Sequence, residues 1–131
     1  MKKKNIAMID LRCRFMDFGK IEVNHLNDLG DAIVEWRESK TFVTPNWIKH
    51  NTQDNRDAML GKLMLVVTEL AEAAEAVRHM DSENFREEIA DAFIRLFDIA
   101  RSNEIDIDRT IAAKMVKNCD RPNRHGKSTS L

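Results

Sequence analysis

Apolar side chains recur at helical spacing along most of the chain, and polar residues with capping potential separate the runs. Asn24 is a favourable N-cap for the first run. Thr44 and Pro45 resemble a helix start, so a short helix carrying Trp47 and Ile48 is expected next. The four longest runs predict helices over about 24–40, 56–80, 82–102 and 109–119.

Capping residues mark the predicted starts of the second, third and fourth helices. Asp54 or Asn55 is expected to cap the second helix, and Asp81 or Ser82 the third. Ile107 and Asp108 form a hydrophobic staple and a cap for the fourth. The sequence therefore predicts an all-α fold of four main helices.

Residues 5–23 follow a different pattern. Leu11, Cys13 and Phe15 alternate with arginines, which predicts a short strand. Gly19 could turn this strand back toward Ile21, giving a hairpin. Because an isolated hairpin is only marginally stable, the alternative is a loose N-terminal arm.

The second and third helices each carry a pair of acidic residues one turn apart. These pairs are Glu69-x-x-Glu72 and Glu88-x-x-Asp91, and residues at i and i+3 share one face of a helix. A short link between two helices favours antiparallel packing, which can bring the four carboxylates together. Such a cluster needs a counter-charge, and Mg²⁺ prefers oxygen ligands.

The helical angles distinguish Glu69 from an ordinary surface acid. At about 100° per residue, Glu69 lies within the apolar arc of its helix, flanked by Val66 and Ala73. On the third helix, Glu88 borders the apolar stripe, and Asp91, Arg95 and Asp98 continue the polar band. A solvated face of Glu88, Asp91 and Asp98 is the competing interpretation there. Two acidic helices in tandem, one with a glutamate in its apolar arc, favour a metal site.

With these motifs in place, the chain resembles the all-α nucleoside triphosphate pyrophosphohydrolases, specifically MazG-like proteins. The resemblance rests on the paired acidic motifs, the segments TELAEA and EEIADAFIRLFDIA, and the later run KMVKNCDRPNRHGK, and it extends over about residues 26–127. It implies one domain over 1–131, with an N-terminal extension at 1–23 and a basic mobile tail at 120–131.

The resemblance also implies a reaction. The expected activity is hydrolysis of a nucleoside or deoxynucleoside triphosphate to the monophosphate and pyrophosphate, as nucleotide-pool housekeeping. Mg²⁺, or Mn²⁺, would be the cofactor. The implied catalytic and metal-binding residues are the four carboxylates Glu69, Glu72, Glu88 and Asp91.

Several residues are candidates for binding the substrate. Lys114, Asn118 and Arg121 lie along one side of the fourth helix, and the resemblance implies that they contact phosphates. An ordinary basic helix C-terminus is the alternative. Trp36 and Trp47 are candidates for stacking on a base, with a core or interface position as the alternative, and the resemblance favours Trp36. Lys62 and, in the tail, Arg124 are further candidates; Asn123 stands where related tails often have tyrosine.

Composition limits the partners and the compartment. The chain has 131 residues and a formal net charge of −1, so overall charge predicts neither nucleic-acid nor membrane binding. Two cysteines at unrelated positions, Cys13 and Cys119, are interpreted as reduced thiols. Charged residues at 10, 12 and 14 interrupt any signal-peptide core, which favours a cytoplasmic protein.

Other functions remain open. The second helix is apolar over most of its circumference, which predicts a homodimer or homotetramer. A phosphoribosyl-ATP pyrophosphohydrolase would carry a similar carboxylate pattern. A helical oligomer or adaptor with only a structural ion is the non-catalytic alternative.

Overall fold

The computed structural model of the protein describes residues 8–13, 16–22 and 25–121. Its elements follow the order β1, β2, α1, α2, α3 and α4. They belong to two compact units. One unit is Asn27–Asp106, and the other combines the chain up to Leu26 with the chain from Ile107 onward.

The unit Asn27–Asp106 contains nearly all of α1 (His25–Ser39) together with α2 (Gln53–Arg78) and α3 (Ser82–Ser102). A tight turn joins α2 to α3, and Met80 in this turn has a left-handed φ of 54°. The Asp81 side chain caps α3 by accepting a hydrogen bond from the Asn84 backbone N–H, as the sequence predicted. The all-α prediction with four main helices is confirmed.

Two local predictions are wrong in the segment before α2. Residues 47–49 form a turn and no helix. Thr44 does not cap a helix, because its buried hydroxyl donates a hydrogen bond to Asp98 Oδ2 at 2.6 Å. The cap of α2 is Thr52, whose side chain accepts from the Asn55 N–H, so α2 begins before the predicted position.

The buried face of α2 is lined by one long apolar side chain, one valine and two alanines, with one glutamate among them: Met59, Val66, Glu69, Ala73 and Ala76. Ala92 of α3 is also buried, and small residues such as these allow two helix backbones to approach closely. The apolar residues on the opposite side of α2 are exposed, for example Met64 at 60%. On α3, Phe93 is exposed at 53%.

Asp98 of α3 is buried, at 3% exposure, so it does not belong to a solvated acidic face. Arg37 Nε of α1 lies 3.0 Å from Asp98 Oδ2 and forms an ion pair with it. The angle does not make this contact a hydrogen bond, and Arg37 Nε has no hydrogen-bond partner among the described residues. With the hydrogen bond from Thr44, Asp98 connects α3 to α1 and to the segment before α2.

The other unit contains a hairpin and a helix. Strands β1 (Met8–Cys13) and β2 (Met16–Glu22) pair antiparallel, and β1 packs on α4 (Ile107–Cys119). The hairpin prediction is confirmed, but its turn is not at Gly19, because Cys13 pairs with Met16 and Gly19 lies within β2. The predicted cap Asn24 lies outside the described residues.

Cys119, at the end of α4, is disulfide-bonded, so the prediction of a reduced thiol at this position is wrong. A sequence with two distant cysteines contains no signal for this bond, because the pairing depends on how the chain folds. None of the helices in the described segments combines the length and the apolarity needed to cross a bilayer.

We predict that Asp98→Ala lowers the free energy of unfolding by about 3 kcal/mol, because it leaves the buried charge of Arg37 unpaired and removes the acceptor of Thr44. Chemical denaturation measures this change. Glu104→Ala is the control: Glu104 pairs with Lys49 at 4.0 Å on the exposed surface, so its loss should cost less than about 1 kcal/mol. Equal losses in the two variants would contradict the structural role of Asp98.

Candidate functional site

Glu69 is the central residue of the candidate site. Its position on α2 places it on the buried face between Val66 and Ala73, and it is 8% exposed. Arg95 of α3 supplies a counter-charge, because its Nε donates a hydrogen bond to Glu69 Oε1 at 2.6 Å. The sequence-based placement of Glu69 in an apolar arc is therefore confirmed.

Two carboxylates of α3 approach Glu69. Glu69, Glu88 and Asp91 each offer an oxygen atom, and these three atoms lie within 4.8 Å of one another. Glu88 is half-buried and Asp91 is exposed. The turn after α2 and the i, i+3 spacing on α3 bring these side chains to one place, as the sequence predicted.

The pKa values of two carboxyl groups in the cluster differ from that of an isolated glutamate. The hydrogen bond from Arg95 holds the pKa of Glu69 below its usual value, although burial alone would raise it. Partial burial and the neighbouring carboxyl groups of Glu72 and Glu69 raise the pKa of Glu88 to about 7. Near neutral pH, Glu88 is therefore held closer to its protonated form than an ordinary glutamate, which would be ionised.

Glu72 occupies a different position from the other three predicted ligands. Its carboxyl group interacts with Glu88 and Glu69. It does not belong to the group of three whose oxygens converge within 4.8 Å. Of the four carboxylates singled out in the sequence, three thus converge and the fourth lies beside them.

This donor set suits a hard divalent cation. All three convergent groups offer carboxylate oxygens, and one of them is buried, where an ion would offset its charge. Burial and the proximity of Glu72 and Glu69 raise the pKa of Glu88, and a bound cation would favour its ionised form. Glu69, Glu88 and Asp91 are the residues that could hold a metal here.

A further positive charge, that of Lys62, lies near Arg95, the cation that pairs with Glu69. Lys62 of α2 is half-buried, and burial followed by the cations of Arg37 and Arg95 lowers its pKa, against the opposing effect of Asp98. Among the described residues Lys62 forms no hydrogen bond or ion pair. The ammonium group is thus available to bind an anion.

The two tryptophans are both exposed, so neither is a core residue within this chain. Trp36 lies on α1. Trp47 borders an apolar recess of about 240 Å³ that is also lined by Arg56, Met59, Leu60 and Leu63. The Trp47 backbone N–H donates to Asn103 Oδ1 at 3.0 Å, which fixes this loop against the end of α3.

The predicted phosphate ligands Lys114, Asn118 and Arg121 belong to the unit that contains α4, whereas the acidic cluster belongs to the unit Asn27–Asp106. Lys114 and Asn118 are exposed on α4, and Arg121 is exposed just after it. Arg124 lies outside the described residues. The binding roles of these four residues stay predictions.

The sequence pattern places Arg95 and Asp98 only in a polar band on α3, whereas in the structure Arg95 contacts Glu69 and Asp98 anchors the scaffold. The signal that could have found them is their spacing. Glu88, Asp91, Arg95 and Asp98 recur at i, i+3, i+7 and i+10, which is the period of a helix face that contacts another helix.

The family model of the MazG nucleotide pyrophosphohydrolase domain matches residues 60–125 of the sequence. The chain belongs to this family. The matched range contains both acidic motifs and all three convergent carboxylates of the MazG domain. No curated protein and no solved structure matches the chain.

Membership of the MazG family indicates which chemistry the carboxylate cluster supports. MazG enzymes depend on a divalent metal, and the cluster of Glu69, Glu88 and Asp91 offers the oxygen ligands for one. The family acts on the phosphate chain of nucleotides. The resemblance inferred from the acidic motifs is therefore confirmed.

We predict that the Glu88 carboxyl group titrates near pH 7 in the metal-free protein, measured by NMR of its side-chain carbon. Glu72→Gln should lower this pKa by removing a neighbouring carboxylate, whereas Glu75→Gln should leave it unchanged. Because the folded state binds this proton more tightly than the unfolded chain, the contribution of Glu88 to stability is lost as pH rises from 4.5 through about 7. A midpoint near 4.5 in the wild type would contradict the crowding of the cluster.

Proposed function

We propose that this MazG domain is a Mg²⁺-dependent pyrophosphohydrolase that converts nucleoside or deoxynucleoside triphosphates and water to the monophosphate and pyrophosphate. The observation that carries the proposal is the convergence of three carboxylates around the buried Glu69. This activity would serve to control a nucleotide pool, and a cytoplasmic location is part of the proposal.

In this proposal Glu69, Glu88 and Asp91 hold Mg²⁺, and Mn²⁺ can replace it. The bound ion would neutralise the charge of the phosphate oxygens and orient the attacking water. Glu72 lies beside the three ligands, so its carboxylate can accept the proton of that water. Glu72 is thus the proposed general base, which the sequence alone could not select among the four acids.

The remaining residues bind the substrate. Lys62 offers an ammonium group that forms no hydrogen bond or ion pair among the described residues, and such a group suits a phosphate oxygen. Lys114, Asn118, Arg121 and Arg124 are the proposed phosphate ligands from the C-terminal part of the chain. Trp36 is the proposed stacking partner of the base, since its exposed indole can contact a flat ring.

Two other functions would use the same carboxylates. A phosphoribosyl-ATP pyrophosphohydrolase hydrolyses the same type of bond in a different nucleotide, so a panel that includes phosphoribosyl-ATP separates the two activities. A non-catalytic oligomer with a structural ion would bind metal and release no pyrophosphate from any nucleotide.

We predict that Glu69→Gln abolishes most metal-induced thermal stabilisation and reduces pyrophosphate release at least a hundredfold, because the buried ligand of the ion is lost. Glu72→Gln should retain the stabilisation and lose turnover. Glu75→Gln is the control, since Glu75 is exposed and its ion-pair partners within the described segments are Arg78 and His79.

Turnover of the Glu69→Gln variant at the wild-type rate would contradict the proposed function. Loss of metal binding in Glu72→Gln would instead contradict the separation of base and ligands. Both quantities are measured on the same protein samples, by thermal denaturation with and without Mg²⁺ and by release of pyrophosphate.

We also propose that the protein is a homodimer or homotetramer. Leu60, Met64 and Val67 recur at i, i+4 and i+7 on the side of α2 away from its buried face, and all three are exposed. Phe93 and Leu96 form a similar exposed pair on α3. Exposed apolar surface of this extent is typical of an interface, and a second copy of the chain can cover it.

We predict that light scattering of the purified protein gives at least twice the chain mass of 15.2 kDa. Met64→Glu should shift the mass toward the monomer, because it places a charge in the proposed interface. Arg78→Glu, a charge change at the end of α2, is the control. A stable wild-type monomer at micromolar concentration would contradict the oligomer.

A further inference from the structure

Most of the guanidinium group of Arg95 forms no hydrogen bond with the described residues. Nε donates to Glu69 Oε1 at 2.6 Å, and the side chain is 27% exposed. The two terminal amino groups have no hydrogen-bond partner among the described residues. Four of the five N–H donors of this cation are thus available beside the carboxylate cluster.

We propose that Arg95 binds the phosphate groups of the substrate while Glu69 holds its guanidinium in position. This role rests on the proposed function and adds a phosphate ligand that the sequence reasoning did not identify. Because Nε is already bound to Glu69, the outer edge formed by the two terminal nitrogens can contact two phosphate oxygens together.

The position of Arg95 on α3 supports this role. Arg95 follows Asp91 by four residues and Glu88 by seven, so the three side chains lie on one face of the helix. A phosphate bound by Arg95 would therefore lie close to an ion held by the carboxylates. Phosphate oxygens bridge to divalent cations in nucleotide sites, which requires this proximity.

The charges around Arg95 also favour an anion. Lys62 lies close enough for the Arg95 cation to affect its ionisation. The nearby Asp98 opposes this effect on Lys62, and Asp98 is also engaged by Arg37 and Thr44. Lys62 forms no ion pair among the described residues, so it is a second positive charge near Arg95 that an anion can neutralise.

A purely structural ion pair between α2 and α3 is the competing role of Arg95. It requires only a cation that reaches Glu69, which a lysine also supplies. A bidentate phosphate contact requires the planar guanidinium fork, which a lysine lacks. Arg95→Lys therefore separates the two roles, and it preserves the counter-charge of the buried glutamate.

The experiment compares four proteins: the wild type, Arg95→Lys, Arg95→Met and Arg86→Met. Arg86 lies nine residues before Arg95, on the opposite face of α3, so Arg86→Met changes the net charge of the same helix away from the site. Calorimetry measures the binding of inorganic tripolyphosphate in the presence of Mg²⁺. Thermal denaturation measures the stabilisation by Mn²⁺ alone.

We expect Arg95→Lys and Arg95→Met to weaken tripolyphosphate binding about tenfold or more, the usual effect of losing charged hydrogen bonds. Stabilisation by Mn²⁺ should persist in both, because no carboxylate is removed. The KM for nucleotide should rise in Arg95→Lys, and Arg86→Met should match the wild type throughout. If Arg95→Met does not fold, Arg95→Lys decides the result.

Tripolyphosphate binding at wild-type affinity in folded Arg95→Lys would overturn the phosphate role and leave the proposed function intact. Equal weakening in Arg86→Met would overturn it as well, because the effect would then be one of net charge. A wild-type protein that binds neither Mn²⁺ nor tripolyphosphate would overturn both the proposed function and the role of Arg95.

Discussion

The burial of one carboxylate, Glu69, is the constraint on which the structure around the site depends. A glutamate on the buried face of a helix is costly unless a positive charge accompanies it. In the structure Arg95 supplies that charge across the α2–α3 contact. The same contact places Glu88 and Asp91 next to Glu69. The helix packing that pairs Glu69 with Arg95 therefore also positions these two carboxylates. The site is thus a consequence of how the two helices pack.

Two groups of charged residues lie side by side where α3 packs on its neighbours, and they differ in whether their negative charge is balanced. Glu69, Glu88 and Asp91 have more negative charge than Arg95 balances, which suits a divalent cation. Asp98 is buried and satisfied by Arg37 and Thr44, so it anchors α1 and the preceding loop. One group can thus take up a ligand while the other maintains the scaffold. This division explains why two acids seven residues apart on one helix face have different roles.

Much of this arrangement could be predicted from the sequence, since helix periodicity and acidic spacing are local properties. The helices, the buried position of Glu69 and the approach of Glu88 and Asp91 follow from spacing alone. The role of Thr44 could not be predicted, because its partner Asp98 is far away in the sequence. The orientation of α3 could not be predicted either. Its polar residues Arg95 and Asp98 face the neighbouring helices while Phe93 is exposed, which is the reverse of the usual arrangement within a single chain.

The central claim is that Glu69, Glu88 and Asp91 form a divalent-metal site. A crystal structure of the protein with Mn²⁺, measured at the manganese absorption edge, tests it most directly. If the three carboxylates hold the ion, an anomalous peak lies in contact with oxygen atoms of all three, at distances typical of metal–oxygen bonds. A manganese peak elsewhere, with no peak among these carboxylates at saturating Mn²⁺, would contradict it.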